Sequence, residues 1–361
     1  MQFGLDDDQL ELKRTVRAFL ERHSAPGIVR HAAEHEDGFA ASAWERLVGE
    51  MELTSLRIDS EHGGAGASFV EVGIALEELG RTLLPVPFLP TVVAAAAISD
   101  SPDDGVSGPL LERIAAGEIA TVALSGRPPV ATRVGDVITV RGSIDYVPDG
   151  ERAGVLVLGA LLEGEPSMLA LELGADGVEV SPVLTLDQTR RQATVRLTDC
   201  SAMALSSGPV GRSAYDRARS VLAIAYSVEA VGAAERCLDL TVAYLGERVQ
   251  FGRPIGSFQA LKHRCADLYV SLEAARSAAY YAAWAVDGAP AELPVLGPLA
   301  QLVCVDALLR IAAESIQLHG GIGFTWEHQA HLFFKRAKST ELLCGGRREL
   351  RRLVGERAGI V

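Results

Sequence analysis

Glu247-Arg-Val-Gln-Phe-Gly-Arg-Pro-Ile-Gly-Ser-Phe-Gln259 joins two long helical runs through a loop that is at once basic, aromatic and glycine-bearing. Gly252, Pro254 and Gly256 break helical spacing. The alanine-rich run from Val221 to Leu245 before it sustains that spacing, as does the run from Ala260 to Asp287 after it, through Leu261, Leu268, Leu272 and Ala275. Arg248 and Arg253 therefore fall at a helix end and in a helix-to-helix turn. A last-turn arginine commonly does no more than complement the negative end of the helix dipole. A guanidinium at such a bend can also grip an anion.

Outward from this loop, helical periodicity continues from Pro209 to the end of the chain, with one weak interruption at Asp287 to Pro294, which predicts a bundle of four or five helices over 208–361. Upstream the texture changes. Ala120–Leu124, Val137–Arg141, Gly154–Leu158, Ser167–Leu173, Gly177–Val183 and Gln192–Leu197 are short Val/Ile/Leu/Thr runs punctuated by Gly, Pro and Asp. That spacing predicts a small antiparallel barrel or sandwich over 119–207. Residues 1–118 read as all-helical: Asp6 to His23 with acids where the dipole favours them, Ser42 to Met51, and Ser68 to Leu84 after a turn at Gly63 to Gly66. Helices, small sheet, helices make the fold class α+β.

The 361 residues suffice for two or three domains with substantial cores. Nothing longer than the apolar run Thr91 to Ile98 is expected to approach a bilayer span, and the start lacks the basic-then-apolar order of a signal peptide, so a cytoplasmic location is expected. Five widely spaced cysteines without Cys-x-x-Cys fit a reduced compartment without structural zinc. A formal charge of -13 argues against nucleic acid, and any anionic ligand must be met by a local basic patch. His31 with His35, and His328 with His331, have helical metal-ligand spacing, but no third ligand is near in sequence, so no metal is expected. His319-Gly-Gly-Ile-Gly could form an oxyanion loop, yet no Gly-x-Ser-x-Gly elbow exists to use it.

Tyr244, Arg248, Phe251, Gly252, Ile255, Phe258 and Gln259 match Y-x-x-x-R-x-x-F-G-x-x-I-x-x-F/H-Q, and Gln317-Leu-His-Gly-Gly-Ile-Gly-Phe324 followed by Lys335-Arg-Ala-Lys338 forms a second signature. In these strings, and in Glu61-His-Gly-Gly-Ala-Gly66 with Glu77-Glu-Leu-Gly80, the chain resembles the acyl-CoA dehydrogenase family over nearly its whole length. The resemblance implies that family's fold, with an N-terminal helical domain, a middle β domain and a C-terminal four-helix-type bundle. It further implies FAD as cofactor, an acyl-CoA thioester as substrate and an electron-transfer flavoprotein as acceptor. Arg248, Phe251, Gln317, Gly320 and Gly321 would then reach the FAD of a neighbouring subunit, so at least a dimer is implied. Tyr146, in Gly142-Ser-Ile-Asp-Tyr-Val-Pro148, falls where relatives place an aromatic against the flavin ring. Ser125, in Leu124-Ser-Gly-Arg-Pro-Pro129, stands where relatives carry Thr-Glu-x-x-x-Gly-Ser-Asp.

In the family a carboxylate removes the proton α to the thioester carbonyl while the β hydrogen passes to the flavin as hydride. Here the chain departs from its relatives. The usual base position falls on Cys344, a thiol mostly neutral at pH 7, and the alternative position early in the long helix falls near Leu222 and Ala223. Glu229 is the acid in the middle of that helix and the remaining candidate base, or else a carboxylate at a helix or subunit contact. Phe324 to Lys338 looks like a subgroup of actinobacterial lipid and steroid catabolism in which two unlike chains assemble. Three readings follow: a dehydrogenase or a subunit of one, a catalytically silent FAD-scaffolding partner, or a flavin oxidase on the same scaffold.

Overall fold

The computed structural model describes residues 4–34, 38–102, 104–343 and 345–360. Six helices come first: Asp7–His23 (α1), Pro26–Glu34 (α2), Ala41–Gly49 (α3), Phe69–Thr82 (α4), Phe88–Ser99 (α5) and Asp104–Ala115 (α6). The start of α1 is set by a reciprocal cap in which the Asp6 carboxylate accepts from Gln9 N at 2.8 Å and Gln9 Oε1 accepts from Asp6 N at 3.1 Å. α2 was not foreseen. Its nine residues are too few to display helical periodicity convincingly, and its sequence-level signal is the proline that opens it.

Seven strands follow: Ala120–Ala123 (β1), Val130–Val134 (β2), Val137–Pro148 (β3), Val155–Leu162 (β4), Glu165–Glu172 (β5), Val178–Val183 (β6) and Gln192–Ser206 (β7). β4 pairs with β2, β2 with β3, β3 with β7, β7 with β5, and β5 returns to β4, so five strands close into a barrel with β1 and β6 added at β4 and β7. The sheet is mixed rather than antiparallel throughout, because β1 and β2 both run parallel to β4. Alternation along the strands divides their side chains between two cores. Leu156, Leu158, Leu169 and Leu171 fill the barrel, while Val155, Val157, Met168 and Ala170 face the helices. Strand β4 is therefore buried on both faces and reads as a continuous apolar run.

The C-terminal part comprises Gly208–Glu247 (α7), the two-residue strands Val249–Gln250 (β8) and Arg253–Pro254 (β9), then Gln259–Gly288 (α8), Leu293–His319 (α9), Ala330–Leu343 (α10) and Gly346–Arg357 (α11). Contrary to the expectation that no run beyond Thr91–Ile98 nears a bilayer span, Pro290–Phe324 is long and apolar enough to cross a membrane by length and composition. Of its most apolar 18 residues 61% are buried within the protein, with Cys304, Leu308, Ile311 and Ala312 in the shared helical core.

Helix α7 is held against α4 by a reciprocal close approach. A Cβ on Gly232 would collide with the Glu77 carbonyl, and one on Gly80 with the Glu229 carbonyl. Beside this crossing, Glu77 is fully buried. Burial works to raise its carboxyl, but the charges of Lys13 and Arg276 overcome that and hold it below the usual carboxylate range. The Glu77-Glu-Leu-Gly80 string thus joins α1, α4, α7 and α8. Gly232→Ala is expected to destabilise the protein by about 1 to 3 kcal/mol, because two backbones must separate; equilibrium denaturation would measure it, and an unchanged midpoint would contradict the packing.

Candidate active site and cofactor interface

A cleft of about 680 Å³ opens between the barrel and the C-terminal helices, lined from the barrel side by Ser125, Tyr146, Leu184 and Leu186 and from α10 by Lys338, Leu342 and Leu343. Tyr146 sits at an irregularity in β3, where pairing with β7 shifts between Ile144 and Val147. Its backbone is left-handed, φ 60°, and its side chain is 57% exposed. Leu184, Leu186 and Leu342 are also exposed around the cleft. Neighbouring Ser125, Ser143, Thr185 and Gln192 supply polar groups, and Arg127 and Lys338 supply positive charge. Apolar faces and hydroxyls form a set suited to an aromatic ring system, with Asp145 and Asp187 also on the walls and Lys338 paired with Glu341 at 2.9 Å.

A second cavity of about 170 Å³ lies between α7, α9 and α11. Ser125, Gly126, Leu343 and Gly345 border both spaces, so the two adjoin. Leu222 and Ala223 line this second cavity, at the place considered for an alternative base. Glu349 is the one carboxylate among its described lining residues, and both of its oxygens accept from Arg352, at 2.6 and 3.0 Å. Cys344 lies outside the described residues.

Glu229 does not reach either cavity. Its Oε1 accepts from Arg336 at 3.0 Å, and its Oε2 accepts from Arg190 in a further short bond. Arg336 also binds Asp187 at 2.7 Å, and Arg190 donates to Thr340 at 2.9 Å. These residues come from α7, α10 and the loop between β6 and β7. The expectation of Glu229 as a base is therefore corrected: its two oxygens are committed to guanidiniums in a buried structural network, the contact reading left open by the sequence. Burial works to raise the Asp187 carboxyl, but Arg336 and Arg190 hold it low. Burial pushes the nearby Asp149 carboxyl up to about 7, against the charges of Arg190, Arg336 and Arg152.

The remaining expected residues gather elsewhere. The Arg248 guanidinium donates to Tyr244 Oη at 2.7 Å, and Tyr244 Oη donates to the His319 carbonyl at 3.2 Å, with the Tyr244 and His319 rings stacked at 4.5 Å. The two C-terminal signatures are thus one surface, where Arg248, Phe251, Gln317, Gly320 and Gly321 are all exposed. Phe251 and Gly252 form the two-residue turn between β8 and β9, with φ 55° and 74°. A left-handed turn of this kind favours Asn-Gly, and a phenylalanine in its first position is strained. At 91% exposure Phe251 meets only the edge-to-face ring of Phe258, at 6.1 Å, among the described aromatic contacts of the protomer. Sequence reasoning missed Arg127 and the loop Leu184 to Leu186, which follows the strand run ending at Val183 and carries no motif of its own. His328 and His331 lie near His319 and Trp326, and among the described residues no three ligating side chains form a metal cluster.

Family models for the acyl-CoA dehydrogenase N-terminal and C-terminal domains match residues 6–118 and 217–359. The chain is 36% identical over 353 residues to acyl-CoA dehydrogenase IpdE2 of Mycobacterium tuberculosis, covering 97% of each. The chain belongs to the acyl-CoA dehydrogenase family. Members are FAD-dependent oxidoreductases acting on CH–CH donors, and the expected fold, cofactor and activity class hold for it. The corresponding protein of Mycolicibacterium smegmatis is 35% identical over 98% of this chain and 99% of its own length. Among solved structures, the ChsE4-ChsE5 complex from Mycobacterium tuberculosis superposes with TM-score 0.92 at 26% identity, covering 100% of both chains. A variant of the Tcur3481-Tcur3483 steroid ACAD superposes with TM-score 0.91 at 28% identity, covering 98% of both.

Two predictions follow from this acyl-CoA dehydrogenase site. Asp149 keeps its proton in the folded state up to about pH 7, whereas an unfolded aspartate loses it near 3.8. Its contribution to stability is therefore full below about pH 4 and lost as the pH rises through about 7, amounting to at most about 4 kcal/mol. Asp149→Asn, tolerated at the same left-handed backbone, is expected to gain stability relative to the parent between pH 4 and 7 and hold that gain above; a pH-independent difference in denaturation midpoints would refute the shift. Phe251→Asn is expected to raise stability by about 1 kcal/mol through relief of backbone strain, while lowering flavin retention on gel filtration. Loss of stability, or full flavin retention, would contradict the assignment.

Proposed function

We propose that this chain is one subunit of an oligomeric acyl-CoA dehydrogenase, divided at about residues 118 and 207, in which another chain supplies the base that removes the α proton. The observation that carries the reading is the apolar wall at Leu222 and Ala223 beside a cavity whose one described carboxylate, Glu349, is committed to Arg352. In support, the names of two structural neighbours, ChsE4-ChsE5 and Tcur3481-Tcur3483, are those of two unlike chains. When bound, FAD accepts the β hydrogen as hydride.

The chain's own residues bind and orient. Tyr146 and Leu343 wall the cleft for the flavin ring, with Ser125 at the junction to the acyl cavity. Arg248 and Phe251 reach the FAD of the neighbouring subunit, and Gly320 and Gly321 let backbone approach it where a Cβ would crowd it. Tyr244 fixes the Arg248 guanidinium, so the cation is oriented before the anion arrives. The substrate belongs to lipid or steroid catabolism, an electron-transfer flavoprotein is the acceptor, and the location is cytoplasmic.

Expression alone and with an unlike acyl-CoA dehydrogenase chain tests the proposal, read by flavin absorbance and anaerobic bleaching with acyl-CoA. Little flavin alone, and a yellow complex that bleaches, is the expected result. Stoichiometric flavin that bleaches in the lone chain would place the base within it and overturn the proposal.

A further inference from the structure

Where the N-terminal helices, the barrel and the C-terminal bundle meet, a third and smaller cavity of about 30 Å³ lies behind the cleft. Helix α5 and the link before it supply an apolar wall without a titratable group. Facing that wall are Asp149 from the turn after β3, Arg190 from the loop before β7, Tyr226 and Glu229 from α7, and Arg336 from α10. Arg190, Glu229 and Arg336 bond to one another and to Asp187 and Thr340. The Asp149 carboxyl is the exception: among the described residues no protein group bonds to it, and the charges of Arg190, Arg336, Glu229 and Arg152 act on it without a hydrogen bond. Its backbone is anchored, with N donating to the Arg191 carbonyl at 3.0 Å and its own carbonyl accepting from Arg152 N at 3.0 Å and Ala153 N at 3.3 Å. The carboxyl is also reachable, since Asp149 is half-buried and both of its oxygens keep accessible surface.

Size and charge select what fits there. The space suffices for one or two water molecules, each needing about 10 to 15 Å³, and for nothing much larger. Arg190, Arg336 and Arg152 repel a cation. Glu229 and Asp149 repel an anion, and the guanidiniums of Arg190 and Arg336 already donate to other groups. A neutral molecule that both donates and accepts is left, and water is the one of that size. It finds partners in the two Asp149 oxygens and in Glu229, whose oxygens each have lone-pair capacity beyond the one guanidinium bond they accept.

This cavity is close to the cleft. Pro148 lines both it and a narrow space that shares Ser125, Tyr146 and Leu343 with the cleft. Ionisation of Asp149 is opposed by burial and by Glu229 and favoured by the three arginines; burial prevails, and the proton leaves at about 7. Its loss sets another carboxylate beside Arg190 and Arg336, in competition with Glu229, whose bonds to these two join the loop and the helix that wall the cleft.

We propose that this cavity holds one or two ordered water molecules joining the Asp149 carboxyl to Glu229, and that the joint between the two cleft walls loosens when Asp149 gives up its proton. The water site stands on the cavity and the carboxyl alone. Its effect on the cleft rests on the reading of that cleft as the flavin site.

Crystals of the flavin-loaded assembly grown at about pH 6 are expected to show water at about 2.6 to 3.2 Å from an Asp149 oxygen; a dry cavity, or density that refines only as a heavier ion, would overturn the site. Infrared spectra are expected to show a protonated-carboxyl band at about pH 6 that Asp149→Asn removes, and a spectrum identical in parent and variant would overturn the proton. Flavin affinity, read by fluorescence, is expected to weaken about fivefold or more between about pH 6 and 8 in the parent and to stay level in Asp149→Asn, which is neutral throughout. Equal pH dependence in both proteins would overturn the loosening of the cleft. Failure of both to bind flavin at either pH would remove the flavin reading instead, with the water site still decided by the crystals.

Discussion

The Glu229 carboxylate, gripped by Arg190 from the barrel side and Arg336 from α10, fixes the geometry on which the rest depends. The loop carrying Arg190 continues into Asp187, Leu186 and Leu184, one wall of the large cleft, and the helix carrying Arg336 continues into Lys338, Leu342 and Leu343, the opposite wall. Removing one member of such a network would strand a charge away from water, typically at about 3 to 5 kcal/mol. The same network places the acid in the middle of α7 among guanidiniums rather than at either cavity. Its anion is already committed to holding the cleft together.

Strain and exposure mark the functional surfaces more clearly than burial does. Tyr146 and Phe251 are both exposed aromatics with left-handed backbone, one beside the cleft and one on the hairpin after α7. Both leave most of the ring in solvent, Phe251 with only the edge of Phe258 against it among the described aromatic contacts. Leu184 and Leu342, similarly exposed around the cleft, add apolar surface that a bound ring would cover. Folding alone would favour asparagine or glycine at the hairpin, and the proposed flavin contact would account for the phenylalanine there.

Much of this was legible from the chain because the informative residues sit in local strings. The hairpin between α7 and α8, the His319-Gly-Gly loop and the texture change near residue 119 each declare themselves over a few residues. Barrel closure did not, since β2 follows two prolines and carries Arg133, and the parallel pairing of β1 and β2 with β4 is a property of topology rather than of any one segment. Glu229 was ambiguous for a related reason. Its partners lie 39 and 107 residues away, and only the fold brings their guanidiniums to it.

Flavin shared across a subunit boundary is the claim that unites the cleft at Tyr146 with the hairpin at Phe251. A crystal structure of the FAD-loaded assembly tests it directly. The flavin ring is expected against Tyr146 of one subunit, with the phosphates or adenine of that FAD touching an Arg248–Phe251 hairpin and Gly320–Gly321 loop from its neighbour. A structure in which the hairpin faces solvent, remote from every flavin, would contradict it.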